Sequence, residues 1–154
     1  MEKTNAMRIL DKDKIAYIAH TYESDGAISG QEVAIALGRS PEQIFKTLVT
    51  IGKSGQYYVF VIPSIGELNL KKAAECVGEK SIGMIKSKEL LPLTGYVHGG
   101  CSPIGMKKTF VTSIDTLAEE LDTIIISAGK IGLQIEISLS QLEKAIAFST
   151  YPLI

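Results

Sequence analysis

Ile44-Phe45-Lys46-Thr47-Leu48-Val49-Thr50-Ile51, followed by Gly52-Lys53-Ser54-Gly55 and then Gln56-Tyr57-Tyr58-Val59-Phe60-Val61-Ile62, is the stretch that sets the architecture. Both runs are rich in β-branched and aromatic residues, which suit a pleated, half-buried surface, and the four residues between them are of turn type. A hairpin of two long strands is predicted, the second stopped by Pro63. Period two puts Phe45, Thr47, Val49 and Ile51 on one face of the first strand and Ile44, Lys46, Leu48 and Thr50 on the other. Lys46 therefore sits among apolar neighbours. Such a lysine either runs its stem to the rim and keeps its charge in water, or directs its ammonium into a cavity that needs a cation. The pattern alone favours the rim.

Working outward toward the N-terminus, Ser40-Pro41-Glu42-Gln43 predicts one helical turn feeding the strand. Ser29 and Glu32 stand at capping-box spacing ahead of Val33, Ala36 and Leu37, with Gly38 as a left-handed stop, so a short helix is expected. Ile15 to Tyr22 reads as a strand with Ile18, His20 and Tyr22 on one face and Tyr17, Ala19 and Thr21 on the other. Thr4-Asn5 caps a first helix carrying Ala6, Ile9 and Leu10 and running to about Lys14.

Toward the C-terminus, Leu68 to Val77 is a helix with Asn69 as its cap and Gly78 as its stop. A short strand over Ser81 to Ile85 and a helical turn over Ser87 to Leu91 come next. Phe110 to Ile114 is a strand, Asp115 caps a short helix through Glu120, and Thr123 to Ser127 is a strand. After the turn Ala128 to Gly132, Leu133, Ile135 and Ile137 alternate with Gln134 and Glu136. Ser140 and Glu143 then open a final helix with Leu142, Ala145 and Ile146 inward. Strands outnumber long helices, and hairpins mix with helical crossovers. The expected fold class is mixed α/β, a partly open mixed barrel or curled sheet flanked by helices, as one domain over residues 1–154.

Of the 154 residues 45% are hydrophobic and 21% charged, which suits a soluble globular protein and excludes a disordered one. No apolar run is long enough to span a bilayer and Met1 to Ala6 lacks a signal-peptide pattern, so a cytoplasmic protein with no membrane partner is expected. A net charge of −1 excludes the overall positive field that grips long stretches of DNA, so any nucleic-acid contact is local. The lysine pairs 71/72, 86/88 and 107/108 each read as solvated surface. The two cysteines, Cys76 and Cys101, form no CxxC pair and have only His20 and His98 as soft co-ligands, so neither a metal nor a cofactor is expected. Cys76 reads as a small buried hydrophobe in a helix. Cys101 qualifies as a nucleophile by type but has no base near it in sequence.

Thr94-Gly95-Tyr96-Val97-His98-Gly99-Gly100-Cys101-Ser102-Pro103-Ile104-Gly105 is the candidate working end, because its glycines allow a ligand to touch main chain. Ser127-Ala128-Gly129-Lys130-Ile131-Gly132 is a second such turn. No GxGxxG after a strand, no GxxxxGK[ST], no GxSxG and no HExxH occurs. Chemistry would rest on main-chain donors, hydroxyls and one lysine, a set suited to a phosphate or a developing oxyanion and hence to acyl transfer from an ester.

Thr4-Asn5-Ala6, His20-Thr21-Tyr22-Glu23, Phe45-Lys46-Thr47-Leu48, Leu70-Lys71-Lys72-Ala73-Ala74, Thr94-Gly95-Tyr96 with Gly99-Gly100-Cys101-Ser102-Pro103-Ile104-Gly105-Met106-Lys107-Lys108, and Ser127-Ala128-Gly129-Lys130 together resemble the YbaK family of Cys-tRNA(Pro) deacylases. The resemblance runs in order along nearly the whole chain, and the lysine motif and the GGxSPxG-x-KK stretch are its specific parts. Related branches are editing domains inserted in some prolyl-tRNA synthetases and free-standing Ala-tRNA(Pro) deacylases. The resemblance implies trans-editing of misacylated tRNA(Pro), without cofactor or metal, on a partly open mixed barrel. In that family the substrate thiol attacks its own ester and leaves as a thiolactone. Lys46 matches the family's essential lysine and Tyr22 a tyrosine of the same pocket. Gly99, Gly100, Ser127 and Gly129 match the turns lining it, whereas Cys101 falls at a position that is usually apolar. Gln134 stands where the family's Gly-Lys-Arg-Gly-Leu-Asp pattern has a carboxylate, and the Tyr22 to Val33 segment is shorter than usual. Expected partners are the aminoacylated 3′ end of tRNA(Pro) and prolyl-tRNA synthetase. Deacylation of another small aminoacyl group such as alanine, and a non-catalytic nucleotide or tRNA-end binding module, are the alternatives.

Overall fold

The computed structural model describes residues 2–24, 26 and 28–154. In chain order the elements are α1 (Asn5–Lys12), β1 (Ile18–Thr21), α2 (Gly30–Leu37), β2 (Phe45–Gly52), β3 (Tyr57–Pro63), α3 (Leu70–Val77), β4 (Ile82–Met84), α4 (Ser87–Thr94), β5 (Val111–Asp115), β6 (Ile124–Lys130), β7 (Leu133–Ile137), α5 (Leu139–Leu142) and β8 (Ser149–Tyr151). Short 3-10 turns cover Pro41–Gln43 and Thr116–Glu120.

The β2–β3 hairpin forms the centre of a five-stranded sheet ordered β4-β2-β3-β5-β8. β2 and β3 pair antiparallel from Phe45 opposite Pro63 to Ile51 opposite Tyr57, while β3–β5 and β5–β8 are parallel. A second, antiparallel sheet is ordered β1-β7-β6. Among the described residues the sheets meet through one parallel bridge, between Ile44 and Ile125. Beyond it β2 and β6 separate, so the barrel does not close and a seam opens between them. Val49, Val61, Ile114, Ile126 and Ile135, with Met7 and Leu10 of α1, form the main core beneath both sheets.

Local signals place the helices. Thr4 caps α1, and Ser29 and Glu32 exchange both capping-box bonds on α2, which ends on left-handed Gly38. Asn69 accepts from the N–H groups of Lys71 and Lys72 at the start of α3. Four details differ from expectation. α2 buries Val33 and Ala34 and leaves Ala36 exposed, because its inward face is set by packing on Ile44 and Ile125. α4 runs eight residues, through Pro92; the bond that proline forgoes would reach the carbonyl of Lys88, which lies on an exposed first turn. α5 is only four residues and is capped by Ser138, two residues ahead of the predicted Ser140. β8 has no alternation in sequence to announce it.

Candidate functional site

The open seam holds a cleft of about 310 Å³. Ile44 and the first residues of β2, to Leu48, supply one wall, and α2 with its cap supplies another through Ser29, Gly30 and Val33. Leu90 of α4 and His98, Gly99 and Cys101 of the glycine-rich stretch face them, with Ser127 of β6, Gln134 of β7 and Tyr22 completing the lining. Five of the seven site residues named from sequence, Lys46, Tyr22, Gly99, Ser127 and Gln134, thus border one cavity. Gly100 and Gly129 stand behind it.

The glycines divide by what their N–H groups do. Gly100 donates to the carbonyl of Val97, and Gly129 donates to Ser127 Oγ at 3.1 Å. Neither N–H is free for a ligand. Gly129 has φ of +102°, and a Cβ there would lie 2.7 Å from the ring of Tyr96, so close packing requires the glycine. Gly99, also at positive φ (85°), lines the cleft, and among the described residues nothing accepts its N–H. Ser127 Oγ, having accepted from Gly129, still has its own proton to donate into the cleft.

Strand register adds a second main-chain surface. Ile44 accepts from Ser64 and Gly52 donates to Gln56, so the even-numbered residues of β2 spend their peptide groups on β3. The odd-numbered ones turn the other way, where the carbonyl of Val49 accepts from Ile85 N–H. Thr47 lies past the Ile44 bridge and before β4, which leaves its peptide groups facing the seam. Its Oγ1 is a buried side-chain oxygen without a hydrogen-bond partner among the described residues. Lys46 likewise has no ion pair or hydrogen bond among the described residues, and it borders the cavity.

Cys101 is 8% exposed, and burial pushes its thiol up to about 12, only partly opposed by a hydrogen bond with Thr94. A thiol so held is protonated at neutral pH and is a poor nucleophile. Cys76, half-buried in α3, donates to Ser113 Oγ. No cluster of three or more His, Cys, Asp or Glu fit to hold a metal occurs among the described residues.

Sequence reasoning did not find the polar cluster beside the cleft. Glu136, two residues along β7 from Gln134 and on the same face, is 7% exposed. It receives a two-pronged contact from Arg39 at 2.7 and 3.0 Å, a bond from Thr123 at 2.6 Å, and lies 2.7 Å from His20 Nε2. Burial alone raises its carboxyl, but the bonds from Thr123, His20 and Arg39 outweigh this and bring it to about 2. The signal available was the alternation that sets His20 beside Tyr22 and Glu136 beside Gln134. What it lacked was Arg39, which arrives from beyond the end of α2.

A mixed two-sheet scaffold whose seam gathers one lysine and a free main-chain N–H is the class of site that holds a carbonyl or phosphate oxygen. The comparisons specify the class further. The family model for the aminoacyl-tRNA editing domain matches residues 26–145, and the chain belongs to that family. It is 46% identical over 138 residues, 89% of this chain and 84% of the relative, to an Enterococcus faecalis protein provisionally named Cys-tRNA(Pro)/Cys-tRNA(Cys) deacylase EbsC. It is 28% identical over 99 residues to a proline–tRNA ligase of Pelobacter propionicus, covering 64% of this chain and 17% of that enzyme. A solved structure described provisionally as a trans-editing enzyme for prolyl tRNA synthetase superposes with a TM-score of 0.85 at 21% identity, over 99% of this chain and 98% of that one. The fold is therefore that of the YbaK-like editing proteins, and the activity is aminoacyl-tRNA deacylation. No helix among the described residues is long and apolar enough to cross a membrane.

Proposed function

We propose that this protein clears Cys-tRNA(Pro), and Cys-tRNA(Cys), by holding the ester so that the substrate thiol attacks it. The cysteinyl sulfur would bond to its own carbonyl carbon, the carbon–oxygen bond to the terminal ribose would break, and the thiol proton would pass to the ribose oxygen. The products are a cysteine thiolactone and uncharged tRNA. The observation that carries this reading is that Lys46 and Gly99, whose N–H is unclaimed among the described residues, line one cleft together with a thiol, Cys101, that burial keeps protonated. Lys46 and Gly99 would draw on the carbonyl or ribose oxygen as charge develops there. Tyr22, Ser127 and Gln134 would orient the aminoacyl group, so that positioning supplies most of the rate. The whole chain, residues 1–154, acts as one domain in this reading. Its likeness to proline–tRNA ligases supports prolyl-tRNA synthetase as the partner that helps select the tRNA.

Two measurements test it. Lys46→Ala is expected to lower turnover of Cys-tRNA(Pro) by about 10²-fold or more with the fold intact, the scale of losing one oxyanion contact. A panel of Cys-, Ala- and Ser-tRNA(Pro) is expected to show cleavage of the first alone, because alanine has no thiol to cyclise. Comparable rates on Ala-tRNA(Pro) would replace the thiol mechanism with attack by water.

A further inference from the structure

The two sides of the cleft differ in charge, although the chain as a whole carries −1. From residue 86 to 108, the segment that brings Leu90, His98, Gly99 and Cys101 to the cavity, the sequence holds four lysines and one glutamate. The facing side, from Tyr22 to Pro41 and the residue after it, presents exposed Glu23, Glu32 and Glu42 against Arg39, whose charge is taken up by Glu136.

The lysine pairs that look unrelated in sequence meet on α4. Lys86 and Lys88 stand at its start. Lys107 donates its N–H to the carbonyl of Thr94 and lays its side chain 3.3 Å from where a Cβ of Gly95 would be, which fixes it at the other end of the helix. At 1.5 Å per residue Lys88 and Lys107 are about 10 Å apart along α4. Lys130 joins them from the β6–β7 tip, its backbone packed within 3.3 Å of a Cβ built on Gly100. All four are exposed, and none is in an ion pair among the described residues. The same segment exposes Leu91 and Val97, at 52% and 49%, and His98. Lys108 turns elsewhere, toward a smaller cavity beside Phe110 and Ile146.

We propose that this wall, made of α4, the glycine-rich turn and the β6–β7 tip, is the path along which the sugar–phosphate backbone of the tRNA 3′ strand reaches the cleft. Lys86, Lys88, Lys107 and Lys130 meet phosphates, while Leu91 and Val97 offer apolar surface to sugars and base faces. The acidic side repels the same strand, so the direction of entry is fixed by charge as well as by shape. This rests on the reading that the cleft takes the aminoacylated end.

The experiment measures binding of uncharged tRNA to the intact protein as a function of KCl, for wild type, K88A, K107A, K130A and the triple variant. Each phosphate contact on a single strand contributes about 0.7 to the slope of log K against log salt. Each single variant is expected to lower the slope by about that amount and the triple variant to weaken binding at least tenfold at low salt. Cleavage of a cysteinyl-adenosine ester is expected to stay at the wild-type rate in all of them. An unchanged slope in the triple variant, an equal loss from Lys71→Ala on remote α3, or failure of the wild type to bind tRNA at low salt would each overturn the proposal. Failure of the deacylase reading shows separately, as no ester cleavage by wild type.

Discussion

Cys101 and Lys46 border the same cavity, yet their surroundings give them opposite prospects. The cysteine is buried in the main core that also holds Tyr96 and Ile104, and its thiol is pushed up to about 12 by that burial. Replacing it with alanine is expected to cost about 1 kcal/mol of stability, the scale of a small cavity, and to leave deacylation within about twofold. In the folded protein an alkylating reagent at pH 8 should label Cys76 ahead of Cys101. A tenfold loss of turnover in Cys101→Ala would make the cysteine a participant. For Lys46 the sequence pattern reached the observed strand but favoured the rim, whereas the residue borders the cavity. Alternation says which way a side chain points and not what stands opposite, and the opposing wall comes from residues 90 to 101. The glycines show the same limit. Gly99, Gly100 and Gly129 look alike as letters, whereas only the folded chain shows that two of them have committed their N–H groups to Val97 and Ser127.

Helices α1 to α3 and the β2–β3 hairpin were legible because their signals lie within a few residues: a cap, a left-handed glycine, a period. Where a boundary depended on distant contacts the reading drifted, as at α5, whose predicted cap Ser140 yields to Ser138, and at β8, which forms only because β5 offers it an edge. The placement of α2 depends on one local detail with a distant partner. Gly30, its first residue, packs so closely on the end of β3 that a Cβ would lie 2.0 Å from Ser64 Cβ. Alanine is the better helix former by about 1 kcal/mol. Here the clash is with a short side chain and adjoining backbone, so Gly30→Ala is expected to destabilise the protein by about 1–3 kcal/mol. It should also raise KM, since Ser29 and Val33 ride on the same helix into the cleft wall. Urea unfolding and steady-state kinetics check this, with Ser64→Gly in the same chain expected to restore part of both. A Gly30→Ala protein as stable as wild type would show that α2 is not held against β3.

At the scale of the molecule, what sequence could not supply is how two sheets sharing one bridge are held at the angle that keeps the seam open. The parallel pairings β3–β5 and β5–β8 join segments dozens of residues apart, and no periodicity encodes them. The partition of charge across the cleft is likewise invisible in a net charge of −1. Glu136 is the polar tie among these parts. It binds His20 of β1, Arg39 beyond α2 and Thr123 ahead of β6, so one carboxylate on the central strand ties both edges of the smaller sheet to the segment following the helix that walls the cleft. Its carboxyl is brought to about 2 from an ordinary value of 4.5. Between those values the unfolded chain takes up a proton that the folded protein does not, so the tie contributes fully above about pH 4.5 and is lost as pH falls toward 2. Glu136→Gln keeps the shape and removes the charge. It is expected to lose about 2 kcal/mol at neutral pH, the scale of hydrogen bonds to a charged group, and to lose less further stability than wild type between pH 5 and 3 (roughly the range of this titration). Urea denaturation across that range decides the matter: stability curves for the two proteins that stay parallel would remove Glu136 as the tie.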